Sequence, residues 1–195
     1  MRSGIEVLKV IVLAAVLVVC ATMAHSQEKS ATNDPAKPAE GAPQPGPEMD
    51  KLKFLLGTWN VDAEYAKSPM FPQGGKAPGW YKAQLGPGGF SIVADFEANG
   101  PFGKEIGHQV LSWDPKQKSY TTVTVGNSFP GVVVGHARWD GDNLVTESEF
   151  DMESGKMSMR ATYSHIQEKS THIEEMVRAG DGPFQQVYSG NATKK

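Results

Sequence analysis

The sequence predicts an all-β protein, a closed antiparallel up-and-down barrel of about ten strands with a short N-terminal helix. After Gly57, turn residues interrupt the chain at intervals of about 8–12 residues, which is typical of sandwiches and barrels rather than of alternating strands and helices. The segments between these turns are rich in β-branched and aromatic residues. Because no long helix is predicted to cover an open sheet, consecutive strands must close on themselves or pack as two sheets.

Ten segments meet this description, and the Asp140-Gly141 pair between two of them is a typical hairpin turn. The predicted strands cover residues 58–65, 79–85, 90–98, 104–114, 119–127, 131–140, 143–151, 156–166, 170–178 and 184–191. Residues 66–78 are a longer connection with three prolines and two glycines, and we expect them to form a lid or portal.

A short helix is predicted immediately before the first strand. Met49, Leu52 and Leu55 follow the spacing of one helical face, and acidic residues lie at the start of this segment. Gly57 ends the pattern, so we expect one or two helical turns.

Residues 1–26 have the pattern of a secretory signal peptide. Arg2 and Lys9 supply positive charge, residues 10–19 are an unbroken apolar run of ten, and a small-residue cleavage site follows. We therefore expect an exported protein, periplasmic or secreted. The run is shorter than the roughly 20 residues that a membrane span needs, so no stable span is expected after cleavage. A lipoprotein anchor through Cys20 is less favoured, because a bulky valine precedes it where that motif requires a small residue.

The rest of the chain divides into a linker and one domain. Residues 27–47 contain five prolines and no apolar side chain larger than alanine, which predicts a disordered linker. Residues 48–195 are predicted to be a single β-barrel domain, long enough to bury one core. The formal net charge of −3, without a long basic run, argues against nucleic-acid binding. The sequence does not indicate an oligomeric state.

Several chemical classes are excluded by composition and motifs. The only cysteine, Cys20, lies in the predicted signal peptide, so the mature domain has neither disulfides nor thiolate sites. The nucleophile-elbow, phosphate-loop and dinucleotide-binding patterns are all missing. The four histidines outside the predicted signal peptide, His108, His136, His165 and His172, show no i, i+2 or i, i+4 pair of the kind that local metal sites use. The sequence requires no metal and no cofactor.

A carboxylate is the candidate polar group of the interior. Glu175 alternates with Ile173 and Val177, which places it on the predicted inner face of its strand. A buried carboxylate needs a partner. Candidate partners are Arg138, Arg160 and Tyr188. Glu147 and Glu149, two carboxylates on one face of another predicted strand, are expected to be solvated.

Methionine and tyrosine side chains are predicted to form an adaptable, partly polar wall around an internal cavity. Ten strands usually leave more interior than their side chains fill, although an ordinary packed core is the alternative. His165 shares the predicted face of Met157 and Tyr163, and His136 alternates with two valines. The candidate ligand-binding residues are Tyr120, His136, Met157, Met159, Tyr163, His165, Glu175 and Tyr188. Tyr81, Phe96 and Met176 are expected to extend the same wall.

Residues 47–59, a short helix that runs into Gly57-Thr58-Trp59, resemble the start of domain-of-unknown-function family 1579, a bacterial family. Further agreement comes from Gly100-Pro101-Phe102-Gly103 and from residues 113–120, so that the resemblance covers residues 47–192. The Gly-x-Trp entry is also similar to that of the calycins, which include lipocalins, fatty-acid-binding proteins and nitrobindins. The resemblance implies a barrel that encloses one small ligand, and it brings no established catalytic residue.

Two expectations concern individual side chains of this barrel. Trp59, just inside the first strand, is expected to plug the closed end with its indole N–H bonded to a partner. The likeness to nitrobindins implies a histidine haem ligand, but the last two predicted strands offer only His172, so haem is not favoured.

The function that these observations favour is binding of a small apolar or amphipathic molecule inside the barrel, for carriage, sequestration or sensing. One alternative is an enzyme that acts on such a molecule through a barrel-lined His or Glu, such as His165 or Glu175. The other is an envelope interaction module, which predicts a solid core and a contiguous exposed apolar patch.

Overall fold

The computed structural model describes residues 43–68, 71–101, 103–152 and 155–195. The predicted signal peptide and most of the predicted linker, through residue 42, lie outside the described residues.

A short helix and eleven antiparallel strands make up the described part of the chain. Helix α1 (Pro47–Lys51) and a 3₁₀ turn (Lys53–Leu55) come first, and a second 3₁₀ turn (Pro87–Gly89) lies between two strands. The strands are β1 (Gly57–Tyr65), β2 (Gly75–Lys76), β3 (Gly79–Leu85), β4 (Ser91–Gly100), β5 (Gly103–Asp114), β6 (Ser119–Gly126), β7 (Val133–Asp140), β8 (Asn143–Met152), β9 (Gly155–Ser164), β10 (Ser170–Ala179) and β11 (Gln185–Lys194).

The strands form a closed barrel. From β3 to β11 each strand pairs with the next one along the chain, β1 pairs with β3, and β11 returns to pair with β1. The prediction of a closed antiparallel up-and-down barrel of ten strands is therefore confirmed. The additional strand, β2, is two residues long and pairs with the end of β1, within the connection predicted as a lid. Two residues are too few to show an alternating pattern, so the sequence did not reveal it.

Helix α1 and the turn that follows it cover one end of the barrel. Met49, Leu52 and Leu55 are buried there and pack with residues of β3 to β8 at that end of the barrel. Trp59 is 3% exposed, and its Nε1–H donates to the carbonyl oxygen of Leu55 at 3.0 Å, so the expected plug is confirmed. The Tyr120 hydroxyl donates to the carbonyl oxygen of Glu48 at 2.9 Å and fastens the helix to the barrel.

Successive side chains of each strand point alternately into and out of the barrel. On β6, Thr122 and Thr124 point into the barrel, and Thr124 Oγ1 accepts a hydrogen bond of 3.3 Å from Gln109 Nε2. The β6 valines point outward and continue across neighbouring strands. The resulting outer row is Val93, Val110, Val123 and Val134, which are register partners from β4 to β7. The valines of β6 are thus on the outer face although they are more hydrophobic than the threonines that face inward.

The closing seam between β1 and β11 depends on a glycine. Gly190 lies opposite Ala63, and a Cβ added at Gly190 would lie 2.6 Å from the Ala63 Cα and 2.7 Å from the Asp62 carbonyl oxygen. Because these are backbone atoms, the seam itself would have to move. We expect Gly190→Ala to lower the free energy of unfolding by about 1–3 kcal/mol, as overpacking does.

Chemical denaturation followed by tryptophan fluorescence measures this effect. The matched control is Thr193→Ala at an exposed position of the same strand, which should change the free energy of unfolding by less than about 0.5 kcal/mol. Equal denaturation midpoints for the two variants would show that the seam tolerates a methyl group.

Candidate functional site

The interior of the barrel is only partly filled. Beyond the packed closed end lies a cavity of about 590 Å³. It extends from Trp59 and Leu55 to the opposite end of the barrel, where Phe71 and Phe129 line it. Phe71 belongs to the connection predicted as a lid or portal, and Phe129 follows β6. The packed core that was considered as an alternative is therefore confined to the end covered by α1.

Aromatic side chains form much of the cavity wall. Tyr81, Phe96 and Tyr163 line it from β3, β4 and β9, as expected from the sequence. Tyr65 and Tyr188 are register partners on β1 and β11, and their ring centroids are 5.2 Å apart in an edge-to-face arrangement. Such a wall offers large apolar area together with phenol hydroxyl groups that can bond a ligand.

Glu175 is an acidic group of the cavity wall. It lines the cavity from β10, between the inward-facing Ile173 and Val177, as the alternation predicted. Burial and the negative charge of Glu105 raise the pKa of Glu175 to about 7. Among the described residues, no side chain forms a hydrogen bond or an ion pair with its carboxyl group.

A second acidic group, Glu105, enters the cavity from β5. The Tyr65 hydroxyl donates to its Oε1 at 3.2 Å. Burial and nearby carboxylates raise the pKa of Tyr65, and burial raises the pKa of Tyr163 to about 12. The pKa values of Tyr81 and Tyr188 are raised for the same main reason. These phenols therefore keep their protons at neutral pH and can donate them in hydrogen bonds.

A β-bulge increases what β11 contributes to the cavity. Glu175 pairs with Tyr188 and Met176 pairs with Gln186, so Val187 is the extra residue of β11. As a result, both Val187 and Tyr188 line the cavity. A bulge at this position turns two consecutive side chains toward the site.

The arginines predicted as partners of Glu175 lie elsewhere, and this expectation was wrong. Arg138 and Arg160 lie on the outer face of the barrel, where both bind Glu147. These bonds, with N–O distances of 3.0 and 2.8 Å, keep the pKa of Glu147 below its usual value in spite of partial burial. Tyr188, the third candidate partner, does lie opposite Glu175 on the neighbouring strand.

The structure brings together four of the eight candidate ligand-binding residues. Met159, Tyr163, Glu175 and Tyr188 line the cavity. Met157 is buried on the same face of β9, but it lies outside the cavity lining. Tyr120 is 1% exposed and belongs to the packed closed end.

The two candidate histidines do not face the cavity. His136 is exposed on the outer face of β7, where its register partners are Thr121 and Glu147. His165 follows the last residue of β9 and is exposed, with a φ of 49°. Met176, which was expected in the wall, lies on the outer face of β10 opposite Arg160. His136 and Met176 therefore face outward, and His165 lies just beyond the end of β9.

Sequence reasoning missed Tyr65 and Glu105. Tyr65 alternates with Trp59, Val61 and Ala63 along β1, so its inward direction was readable from that pattern. Glu105 alternates with Gln109 and Leu111 on β5, but a carboxylate near the end of a strand is ordinarily solvated, which hides this signal.

No three His, Cys, Asp or Glu side chains of the described residues gather closely enough to hold a metal ion. Within the same part of the chain, no helix is long and apolar enough to cross a membrane.

Comparisons with known proteins agree with the barrel. A family model described as "Protein of unknown function (DUF1579)" matches residues 44–194, and no curated protein matches the chain. The crystal structure of Rv2717c from M. tuberculosis has a TM-score of 0.54 and 14% sequence identity, and the match covers 78% of this chain and 99% of that chain. The S-type phycobiliprotein lyase CPES from Guillardia theta has a TM-score of 0.47 and 10% identity, covering 74% and 89%. A de novo designed fluorescence-activating β-barrel has a TM-score of 0.41 and 14% identity, covering 75% and 98%. At 14% identity, the likeness to Rv2717c concerns the fold alone, and it agrees with the closed barrel.

Proposed function

This chain belongs to the family described as "Protein of unknown function (DUF1579)", and we propose that it binds one small, largely apolar molecule inside its barrel. The cavity of about 590 Å³ is the observation that carries the proposal. Ligand cavities typically have volumes of roughly 300–1,000 Å³ and apolar walls with a few convergent polar groups. The cavity in this barrel fits both criteria.

The distribution of side chains defines how a ligand would lie. The closed end is packed by α1, so a ligand enters from the opposite end, past Phe71 and Phe129. Its apolar body would lie against Trp59, Phe96 and Met159, which line the cavity. The polar end of the ligand would then meet the carboxyl and phenol groups of the inner wall.

A pair of neighbouring valines on β7 allows a matched test. Val133 lines the cavity, whereas Val134 is 50% exposed on the outer face. We expect Val133→Trp to fill part of the cavity and to weaken binding of the neutral fluorophore N-phenyl-1-naphthylamine by about tenfold or more, since about 1.4 kcal/mol of lost contact suffices. Val134→Trp adds the same side chain to the surface and should leave the affinity unchanged.

Fluorescence titration of the wild-type protein, Val133→Trp and Val134→Trp with this fluorophore measures the three affinities. Failure of the wild-type protein to bind the fluorophore, or equal affinity of both tryptophan variants, would count against an internal site. Circular dichroism of Val133→Trp controls for loss of the fold.

An acid–base enzyme is the second candidate function, and the raised pKa of Glu175 is the observation that favours it. A carboxyl group with a pKa of about 7 is suited to accept and return a proton at neutral pH. However, no histidine of the described residues lines the cavity. Glu175 would therefore have to transfer the proton without the help of an imidazole group. An enzyme would lose turnover in Glu175→Gln while still binding its substrate, whereas a carrier has no turnover to lose.

The expected export of the protein stays part of the proposal. In an exported protein, a single internal site would serve to carry, sequester or sense a molecule outside the cytoplasm.

A further inference from the structure

The charge inside the cavity is unbalanced. Apart from tyrosines, the ionisable side chains that line the cavity are Glu97, Lys104, Glu105 and Glu175. Lys104 Nζ is 2.9 Å from Glu97 Oε2, so these two charges neutralise each other. Glu105 and Glu175 then remain, and neither forms an ion pair with a described cationic side chain. The site therefore holds negative charge that no residue of the described chain compensates.

The two carboxyl groups act on the same space although they come from different parts of the barrel. Glu105 lies on β5 and Glu175 lies on β10, and both line the cavity. Their mutual repulsion contributes to the raised pKa of Glu175. A positive charge placed between them would relieve this repulsion and supply the partner that a buried carboxylate needs.

Tyrosine side chains line the cavity next to Glu175. Tyr188 on β11 is its register partner, and Tyr65 on β1 is the register partner of Tyr188. Tyr163 on β9 lies two residues from the register partner of Glu175 on that strand, and Glu105 on β5 is the charged group that acts on Glu175. The faces of aromatic rings attract ammonium groups, and this attraction grows when water is excluded. The Tyr65 hydroxyl donates its proton to Glu105. The tyrosine rings and the two carboxyl groups therefore remain as the groups that can receive a cation.

We propose that the cavity selects amphipathic molecules whose polar end is a protonated amine, held between Glu105 and Glu175 and against the surrounding tyrosine rings. This inference rests on the proposed function and specifies its ligand class. A fatty-acid carboxylate would meet two like charges in the same place. A neutral alcohol would fill the apolar part of the cavity but would leave the negative charge uncompensated.

Three probes of equal chain length test the inference: decylamine, decanol and decanoate, each titrated into the full chain by calorimetry near pH 8. The wild-type protein should bind decylamine about tenfold more tightly than decanol, which corresponds to about 1.4 kcal/mol, and should bind decanoate most weakly. Glu175→Gln leaves only Glu105 to attract the amine and should clearly reduce the preference for decylamine. The matched control, Glu174→Gln, changes the outward-facing neighbour on β10 and should retain the preference.

The pH dependence gives a second readout. Decylamine stays protonated between about pH 6 and pH 8, whereas Glu175 loses its proton in this range when the cavity is empty. The affinity of the wild-type protein for decylamine should therefore rise with pH, and this rise should disappear in Glu175→Gln.

Each outcome bears on a different claim. Binding of decanoate as tight as that of decylamine, or an undiminished preference for decylamine in Glu175→Gln, would overturn the amine inference while leaving the binding barrel intact. Failure of all three probes to bind would overturn the amine inference together with the proposed function.

Discussion

Trp59→Ala is expected to lower the free energy of unfolding by about 3–5 kcal/mol, the cost of truncating a large buried aromatic side chain. Trp59 is 3% exposed at the point where α1 meets the barrel. Its removal leaves a void next to the ligand cavity and deprives the Leu55 carbonyl oxygen of its 3.0 Å hydrogen bond from the indole. Since small domains are stable by only about 5–15 kcal/mol, the loss should be visible in any denaturation curve.

Two further variants separate packing from the hydrogen bond. Trp59→Phe keeps most of the apolar contact but removes the indole N–H, so it should lose less stability than Trp59→Ala. Asn60→Ala changes an exposed neighbour on β1 and should have little effect. If Trp59→Ala unfolded at the same urea concentration as Asn60→Ala, the closed end would not depend on this side chain.

Glu175→Gln is expected to stabilise the empty protein by about 3 kcal/mol near pH 8 while changing little near pH 4.5. The pKa of Glu175 is raised from 4.5 to about 7 in the folded protein, chiefly by burial and then by Glu105. Each unit of such a shift corresponds to about 1.36 kcal/mol. The folded state therefore binds a proton more tightly than the unfolded state between these two values.

The contribution of Glu175 to the stability of the wild-type protein falls as the pH rises. The wild-type protein has its full contribution from protonated Glu175 below about pH 4.5 and loses it as the pH rises through about 7, because the buried carboxyl must then ionise. Glutamine cannot ionise, so the difference in stability between variant and wild type should grow over this interval.

Urea denaturation at a series of pH values measures that difference. Glu174→Gln, which alters the outward-facing neighbour, should follow the wild-type curve throughout. A constant difference between Glu175→Gln and wild type at all pH values would mean that the Glu175 carboxyl does not titrate differently in the folded state.

The fold was largely readable from the sequence because turn residues and alternation act locally. The Asp140-Gly141 turn and the Gly57-Thr58-Trp59 entry each mark a strand boundary that the structure confirms. Barrel closure followed from the lack of a covering layer rather than from any single residue. By contrast, the two-residue strand β2 depends on pairing with Glu64 and Tyr65, which is a tertiary contact with no local pattern.

The site was only partly readable. Glu175, Met159 and Tyr163 were found because their strands alternate regularly. His165 was misplaced because β9 ends at Ser164, one residue too early for the alternation to reach it. Glu105 was missed because Ile106 and Val110 suggest an apolar inner face on the other side of β5, although both are exposed in the structure.

The most direct test of an internal ligand site compares two methionines in one spectrum. Met159 lines the cavity from β9, whereas Met176 lies on the outer face of β10. With ¹³C-labelled methionine methyl groups, titration with N-phenyl-1-naphthylamine should shift the Met159 signal and leave the Met176 signal in place. Equal shifts of both signals, or a shift of Met176 alone, would show that the molecule binds the outside of the barrel and would contradict the internal site.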